Sequence, residues 1–316
     1  MPILFLFLFL LPLPALAETI YAVVLGNQGH VVGSSTLESG LFRSTDRGNS
    51  WVQLGPRNLK AYAMDLVRAE KGRILYIAAG NGVHRSLDSG QTWKIVTDWR
   101  VTEVLDVAVD QDDPRYVYAG TAFGLWFSED GGDTWQQSMG ELESTYIYQL
   151  SINPTFNWPP RGKRRALSVM TDYRQKPSWR IVADSGSVRP NLVSGTDRLP
   201  DDTAGPCFWW DVYDWFLYNP GYRSNTHHVI FTDGNRVMQG TERLGGISVP
   251  CEPAALPLGE PLPHPVHALL LLHGSGYRDP ILAGTFGDGV WRIEGDGEWE
   301  RVGLEGGQVW GLVRSE

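Results

Sequence analysis

The sequence predicts an all-β fold, a six-bladed β-propeller whose ring is closed by its own C-terminal strand. Three observations predict it. First, the pattern Ser-x-Asp-x-Gly-x-x-Trp returns in RSTDRGNSWVQL (43–54), RSLDSGQTWKIV (85–96) and FSEDGGDTWQQS (127–138), with Asp46, Asp88 and Asp130 each 42 residues apart. A fixed period in this range marks a solenoid or a propeller. Second, six apolar strands recur with landmarks at Val67, Val109, Ile152, Tyr218, Leu271 and Val313, in steps of 42, 43, 66, 53 and 42. Third, the two ends are complementary. After an N-terminal apolar run the chain starts on a second-strand phrase, TIYAVVLGN (19–27), and it finishes on a first strand, GLVRSE (311–316), similar to DLVRAE (65–70). Pairing those ends removes the exposed edges of an open stack.

Composition agrees with many short strands joined by turns: 36 Gly, 20 Pro, 13 Trp, 12 Tyr and 11 Phe, with no long helical periodicity. Residues 1–17, MPILFLFLFLLPLPALA, are uncharged, apolar and end in Ala-Leu-Ala. They read as a secretory signal rather than a membrane span, because the run is short for about 30 Å of hydrocarbon and Pro12 and Pro14 interrupt it. No later segment reaches transmembrane length, so residues 18–316 read as one soluble, extracytoplasmic propeller domain.

Each residue of the repeated turn has a physical task. Asp followed two residues later by Gly is turn chemistry: the carboxylate accepts backbone N–H groups across the bend and Gly takes positive φ without steric cost. The Ser hydroxyl adds a local bond, and the Trp fills space between neighbouring sheets. Ser44, Asp46, Gly48 and Trp51, then Ser86, Asp88, Gly90 and Trp93, then Ser128, Asp130, Gly132 and Trp135 are therefore structural staples. Before them, ILYIAAGNGVHRS (74–86), YVYAGTAFGLWFS (116–128) and ILAGTFGDGVWRI (281–293) each read as strand, Gly-punctuated turn, strand. HHVIFTDGNRVMQGTERLGGI (227–247) is a looser relative, with DWFLY (214–218) expected as the first strand of that blade.

These turns, with YAGT-like strands before them, resemble the Asp-box or bacterial neuraminidase repeats of sialidases, sortilin-type receptors, some secreted glucanases and a photosystem assembly propeller. The resemblance covers residues 40–138 well, 266–303 fairly and 140–265 weakly, leaving seven blades as the alternative. It implies a propeller whose boxes lie on the face opposite the usual binding site. It implies no single activity. The sialidase pattern itself is missing: no Arg-Ile-Pro segment opens the first blade, Val188-Arg189-Pro190 and Arg198-Leu199-Pro200 lie mid-chain, and no arginine triad can be placed.

Function is expected where the repeat breaks, in insertions around 153–165, 183–208 and 250–265, and at the mouth formed by the entrances to the first strands. The basic run ending NPTFNWPPRGKRR (153–165) reads as a solvated loop. The expected ligand contacts are Trp99, Arg100, Tyr146, Trp209, Trp210, Asp211, His267 and Trp310. The competing reading, a glycoside hydrolase, would draw a carboxylate pair from Glu103, Asp106, Asp211 and Asp214. A net charge of −9 argues against nucleic acid. No metal is expected, since neither His227-His228, His264-x-x-His267 nor the acidic run 110–113 has a ligand pattern, and no phosphate loop or catalytic triad calls for a cofactor. Cys207 and Cys251 stand as a disulfide or as two buried thiols. The sequence thus points to an exported, non-catalytic propeller that binds a protein or glycan, free or as a scaffold in an envelope complex.

Overall fold

The computed structural model describes residues 18–27, 39–70, 72–111, 113–138, 146–153, 164–171, 178–183, 228–232, 237–241, 247–249, 256–257, 262–264, 266–272, 280–295 and 297–315. The expected signal, the loop 183–208 beyond Ala183, both cysteines, and Trp209, Trp210, Asp211 and Asp214 lie outside the described residues.

All regular structure among the described residues is β-strand, arranged in six antiparallel sheets. Sheet A combines β1 (Thr19–Asn27), β2 (Gly40–Ser44) and β3 (Val52–Leu54) with β23 (Gly307–Ser315). Sheet B runs β4 (Ala61–Ala69), β5 (Gly72–Ala79), β6 (Gly82–Ser86), β7 (Lys94–Ile95). Sheet C runs β8 (Val104–Val109), β9 (Val117–Thr121), β10 (Gly124–Ser128), β11 (Gln136–Ser138). Sheet D holds β12 (Ile147–Asn153), β13 (Arg164–Thr171) and β14 (Ser178–Ala183). Sheet E runs β15 (His228–Thr232), β16 (Val237–Thr241), β17 (Ile247–Val249), β18 (Leu256–Pro257). Sheet F runs β19 (Val266–Leu271), β20 (Ile281–Thr285), β21 (Val290–Ile293), β22 (Glu300–Gly303).

The chain ends meet as expected. Thr19 pairs with Ser315, Tyr21 with Val313 and Val23 with Gly311, and the Arg314 guanidinium lies 3.2 Å from the Glu18 carboxylate.

One expected strand assignment is corrected. Inner strand β8 packs on β4 and β5 of the sheet before it, and β19 packs in the same way on β15 and β16. The inner place in sheet E therefore belongs to β15, within HHVIFT, and the expectation that 227–247 supplies second and third strands is one strand out of step. Two other expected loops also contain strand: the basic run ends in β13 at Arg164 and Arg165, and β18 lies inside 250–265.

The core lies in layers between sheets. Ile20, Ala22 and Phe42 of sheet A pack with Leu270, Leu282 and Val302 of sheet F, Tyr21 and Leu41 with Leu75 and Ile77 of sheet B, and Tyr76 and Ala78 with Val107 and Trp126 of sheet C. The second strands β9 and β20 are buried along their whole length, as expected for strands covered on both faces.

The turn staple works as its residue types require. In all three copies the Ser hydroxyl donates to the Asp carboxylate at 2.7–2.8 Å and accepts the Gly N–H at 2.7–2.8 Å. Gly48, Gly90 and Gly132 have φ of 89°, 92° and 95°. A further residue belongs to the staple: the hydroxyls of Ser50, Thr92 and Thr134, just before each Trp, donate to the Asp carboxylate together with their own N–H groups. Trp51, Trp93 and Trp135 then pack against the cores shared with the preceding sheet.

Arginines bind the sheets at the same level. Arg85 of β6 donates to the Gly131 carbonyl and to Asp133, while Arg292 of β21 donates to the Arg47 carbonyl and to Asn49. Each pair of acceptors occupies the first and third positions after the Asp of the next sheet's turn.

Candidate functional site

The register places two kinds of loop at one end of the sheets. Val104 at the start of β8 pairs with Thr121 at the end of β9, so approaches to inner strands and turns between second and third strands share one face. We call it the entrance face. The stapled turns, between third and fourth strands, lie at the opposite end.

Every inner strand with a described entrance carries one unpaired extra residue there. In β4, Ala61 and Ala63 pair with Ala79 and Ala78, leaving Tyr62 between them. Leu105 in β8, Tyr148 in β12, His267 in β19 and Trp310 in β23 are bulged at the same point. Their spacing is 43 from Tyr62 to Leu105, from Leu105 to Tyr148 and from His267 to Trp310. A bulge re-aims its side chain out of the alternation of the strand.

Three of these bulges, with one turn residue, bring rings from sheets F, A and B together. Trp310 lies 4.8 Å from His267 at 30° between planes, and 6.3 Å from Tyr62 at 84°. Phe286, in the turn after β20, stands 6.2 Å from Trp310 at 72° and 5.0 Å from His267. The backbone fixes this meeting, because Phe286 bridges Gln308 and both Gly287 and Gly289 donate to the Gly307 carbonyl.

A polar arc adjoins the rings. Gly80 donates to the Lys60 carbonyl, Glu103 to the Gly80 carbonyl and Ala122 to the Glu103 carbonyl, a chain crossing sheets B and C. It holds Glu103 at φ of 49°, a conformation rare outside Gly. The Tyr62 hydroxyl donates to Glu103 at 3.4 Å, and Lys60 Nζ lies 5.2 Å above the Tyr62 ring. Hydrogen bonding to Tyr62, with the charge of Glu103, holds the Lys60 ammonium above its ordinary pKa.

The exposed aromatic rings fall on this face. Trp99, Phe123, Tyr146 and Trp310 are 84%, 58%, 47% and 36% exposed, and no other aromatic among the described residues is as exposed. Of the contacts expected from sequence, His267 and Trp310 come together, while Trp99 and Tyr146 stand at the entrances to sheets C and D. Arg100 is held by Asp98 through paired bonds of 3.1 and 2.6 Å and lies 6.0 Å over the Trp126 ring. Tyr62, Phe286 and Lys60 were not foreseen, although the period of 43 leads from Leu105 back to Tyr62.

The two described carboxylates of the hydrolase reading differ. Glu103 is on the entrance face. Asp106 has both oxygens engaged: Oδ2 accepts the Leu150 N–H of the next inner strand at 2.7 Å and Oδ1 the Val107 N–H at 2.8 Å. Asp65, unforeseen, does the same with Val109 at 2.8 Å and Leu66 at 2.8 Å. Burial pushes both carboxyls up to about 7 against the pull of those N–H groups. Among the described residues no group of three or more His, Cys, Asp or Glu side chains is placed to hold a metal ion, and no helix is long and apolar enough to cross a membrane.

A family model described as the fifth domain of the ATP-dependent helicase/deoxyribonuclease AddB matches residues 202–231, nearly all outside the described residues. No curated protein sequence matches the chain. Among solved structures, the chain is similar to one from a nidogen/laminin complex, with TM-score 0.52 and 9% identity over 94% of this chain and 97% of that one. The fold is a β-propeller. The chain also matches an ancestral GH74 enzyme (TM-score 0.38, 13% identity, 89% of this chain) and the extracellular domain of a putative one-component system from B. thetaiotaomicron (TM-score 0.42, 16% identity, 93% of this chain). It spans 39% and 36% of those two proteins.

Proposed function

We propose that the protein is an exported, six-bladed Asp-box propeller that binds a protein or glycan on its entrance face without transforming it. The observation that carries this reading is the concentration of exposed rings on that one face. It is supported further by the bulges that recur at the entrances of successive inner strands and bring Tyr62, His267 and Trp310 together. In this reading residues 1–17 direct export and are removed, and the propeller works outside the cytoplasm, alone or as a scaffold in an envelope complex. Trp99, Tyr146, His267 and Trp310 contact the ligand, with Trp209, Trp210 and Asp211 as further candidates. The nidogen/laminin chain supports the fold and leaves this chain's partner open.

The competing hydrolase reading needs two converging carboxylates. Asp106 suits it poorly, because both of its oxygens serve backbone N–H groups, which leaves Glu103 to work with Asp211 or Asp214. A glycan array with a fluorogenic glycoside panel separates the two. Binding is expected without turnover, and binding should weaken in Trp310→Leu. Turnover abolished by Glu103→Gln or Asp211→Asn would replace the binding reading with hydrolysis.

A further inference from the structure

We propose that the aromatic cup of Tyr62, His267, Phe286 and Trp310 is a site for a weakly hydrated organic cation, of which a trimethylammonium group is the simplest form. The inference rests on the entrance-face reading and adds the chemistry of the ligand. Aromatic faces carry negative quadrupolar charge and attract cations within about 6 Å of a ring centre. Here Trp310 is exposed, and Tyr62 and Phe286 stand nearly perpendicular to it, their centroids 6.3 and 6.2 Å away. Rings set across one another leave faces and edges open to a ligand at the surface, where a flat stack would cover its own faces.

The protein already uses one of these faces in this way. Lys60 Nζ lies over Tyr62 at 5.2 Å, and Glu103, which accepts the Tyr62 hydroxyl, supplies negative charge at the rim. A primary ammonium such as Lys60 is strongly hydrated and keeps to the water side. A quaternary ammonium has no N–H to desolvate and gains more from ring contact. The net charge of −9 favours arrival of a cation over an anion. A neutral sugar would use the same rings and could donate hydroxyls to Glu103, but it lacks the direct charge–charge attraction that a cation gains there.

The full chain should be titrated by calorimetry with choline and with 3,3-dimethylbutan-1-ol, which replaces the trimethylammonium by a tert-butyl group of the same shape. Choline is expected to bind about tenfold or more tightly than the neutral compound, the scale of a desolvated cation–π contact. Trp310→Leu, which keeps an apolar side chain but removes the ring, should lose about that factor, and Glu103→Gln should weaken choline alone. Lys60→Met should strengthen choline by removing the resident cation. Nε-trimethyl-lysine forms a second arm: tighter binding than choline assigns the cation to a modified protein side chain, weaker binding to a free or headgroup ammonium. Equal binding of the charged and neutral compounds, failure of choline to bind, or choline affinity unchanged in Trp310→Leu would overturn the inference. If a glycan or protein still binds and needs Trp310 while choline does not, the entrance-face reading stands and the cation falls.

Discussion

At the scale of single residues, opposite electrostatic designs occupy the inner strand and the stapled turn of sheets B and C. Thr92, Ser86 and backbone donors hold the exposed Asp88 carboxyl down at about 2, and in Asp46 and Asp130 burial pushes upward but the equivalent donors, Ser50 with Ser44 and Thr134 with Ser128, outweigh it. Their contribution to stability is complete above the unfolded carboxyl value of about 4 and is lost as pH falls through the folded values. Asp65 and Asp106 have the opposite sign: raised to about 7 by burial, they contribute most below about pH 4 and lose that contribution as pH climbs through 7. The denaturant midpoint should therefore decline from about pH 5 to 8. In Asp65→Asn/Asp106→Asn, which keeps carbonyl acceptors, that decline should shrink while the acid limb remains; an unchanged decline would show that these groups do not titrate there. Ser86→Ala tests the staple more simply. It leaves the buried Gly90 N–H without its acceptor and should cost about 1–2 kcal/mol in equilibrium unfolding. The staple was legible because its residues are neighbours in sequence. Asp65 was not, because an Asp within AMDLV reads as one solvent-facing position of an alternating strand, and its partner Val109 is 44 residues away.

At the scale of elements, glycines of the second strands set how closely sheets approach. A Cβ on Gly284 would lie 2.6 Å from Val309 Cγ1, and one on Gly120 2.7 Å from Ile147 Cγ2. Both contacts are to the next sheet's inner strand, one residue from a bulge or from an entrance. Gly284→Val should cost about 1–3 kcal/mol by overpacking and, by shifting β23, should weaken entrance-face binding as well as lower the unfolding midpoint. A fall in stability with binding intact would separate the bulge from the packing beneath it. The bulges explain why half the cup escaped the sequence. Trp310 and His267 were chosen for standing near first-strand entrances, but a strict two-residue alternation assigns Tyr62 and its bulged equivalents to the wrong side. Phe286 joins them only through a turn stitched to Gly307, a contact that leaves no periodic trace. The inner strand of sheet E was hard to place for a related reason: DWFLY, outside the described residues, is as apolar as an inner strand, and pattern alone gave no reason to prefer HHVIFT.

At the scale of the whole molecule, sheet A is assembled from the two extremes of the described chain, and that joint carries Trp310 into the cup. β1 cannot cover its inner edge without β23, and Trp310 cannot meet Tyr62 unless β23 lies between sheets F and B. Loss of β23 should therefore remove binding and expose β1 as an edge open to association. Closure was legible from the complementary phrases at the ends, since GLVRSE repeats DLVRAE. What the joint builds was not, because it depends on which residue of β23 is left unpaired. Native-state hydrogen exchange read by mass spectrometry tests the joint directly. Peptides covering 19–27 and 307–315 should share one high protection and lose it together on approach to global unfolding; rapid exchange in 19–27 while 307–315 stays protected would contradict a sheet shared by both ends.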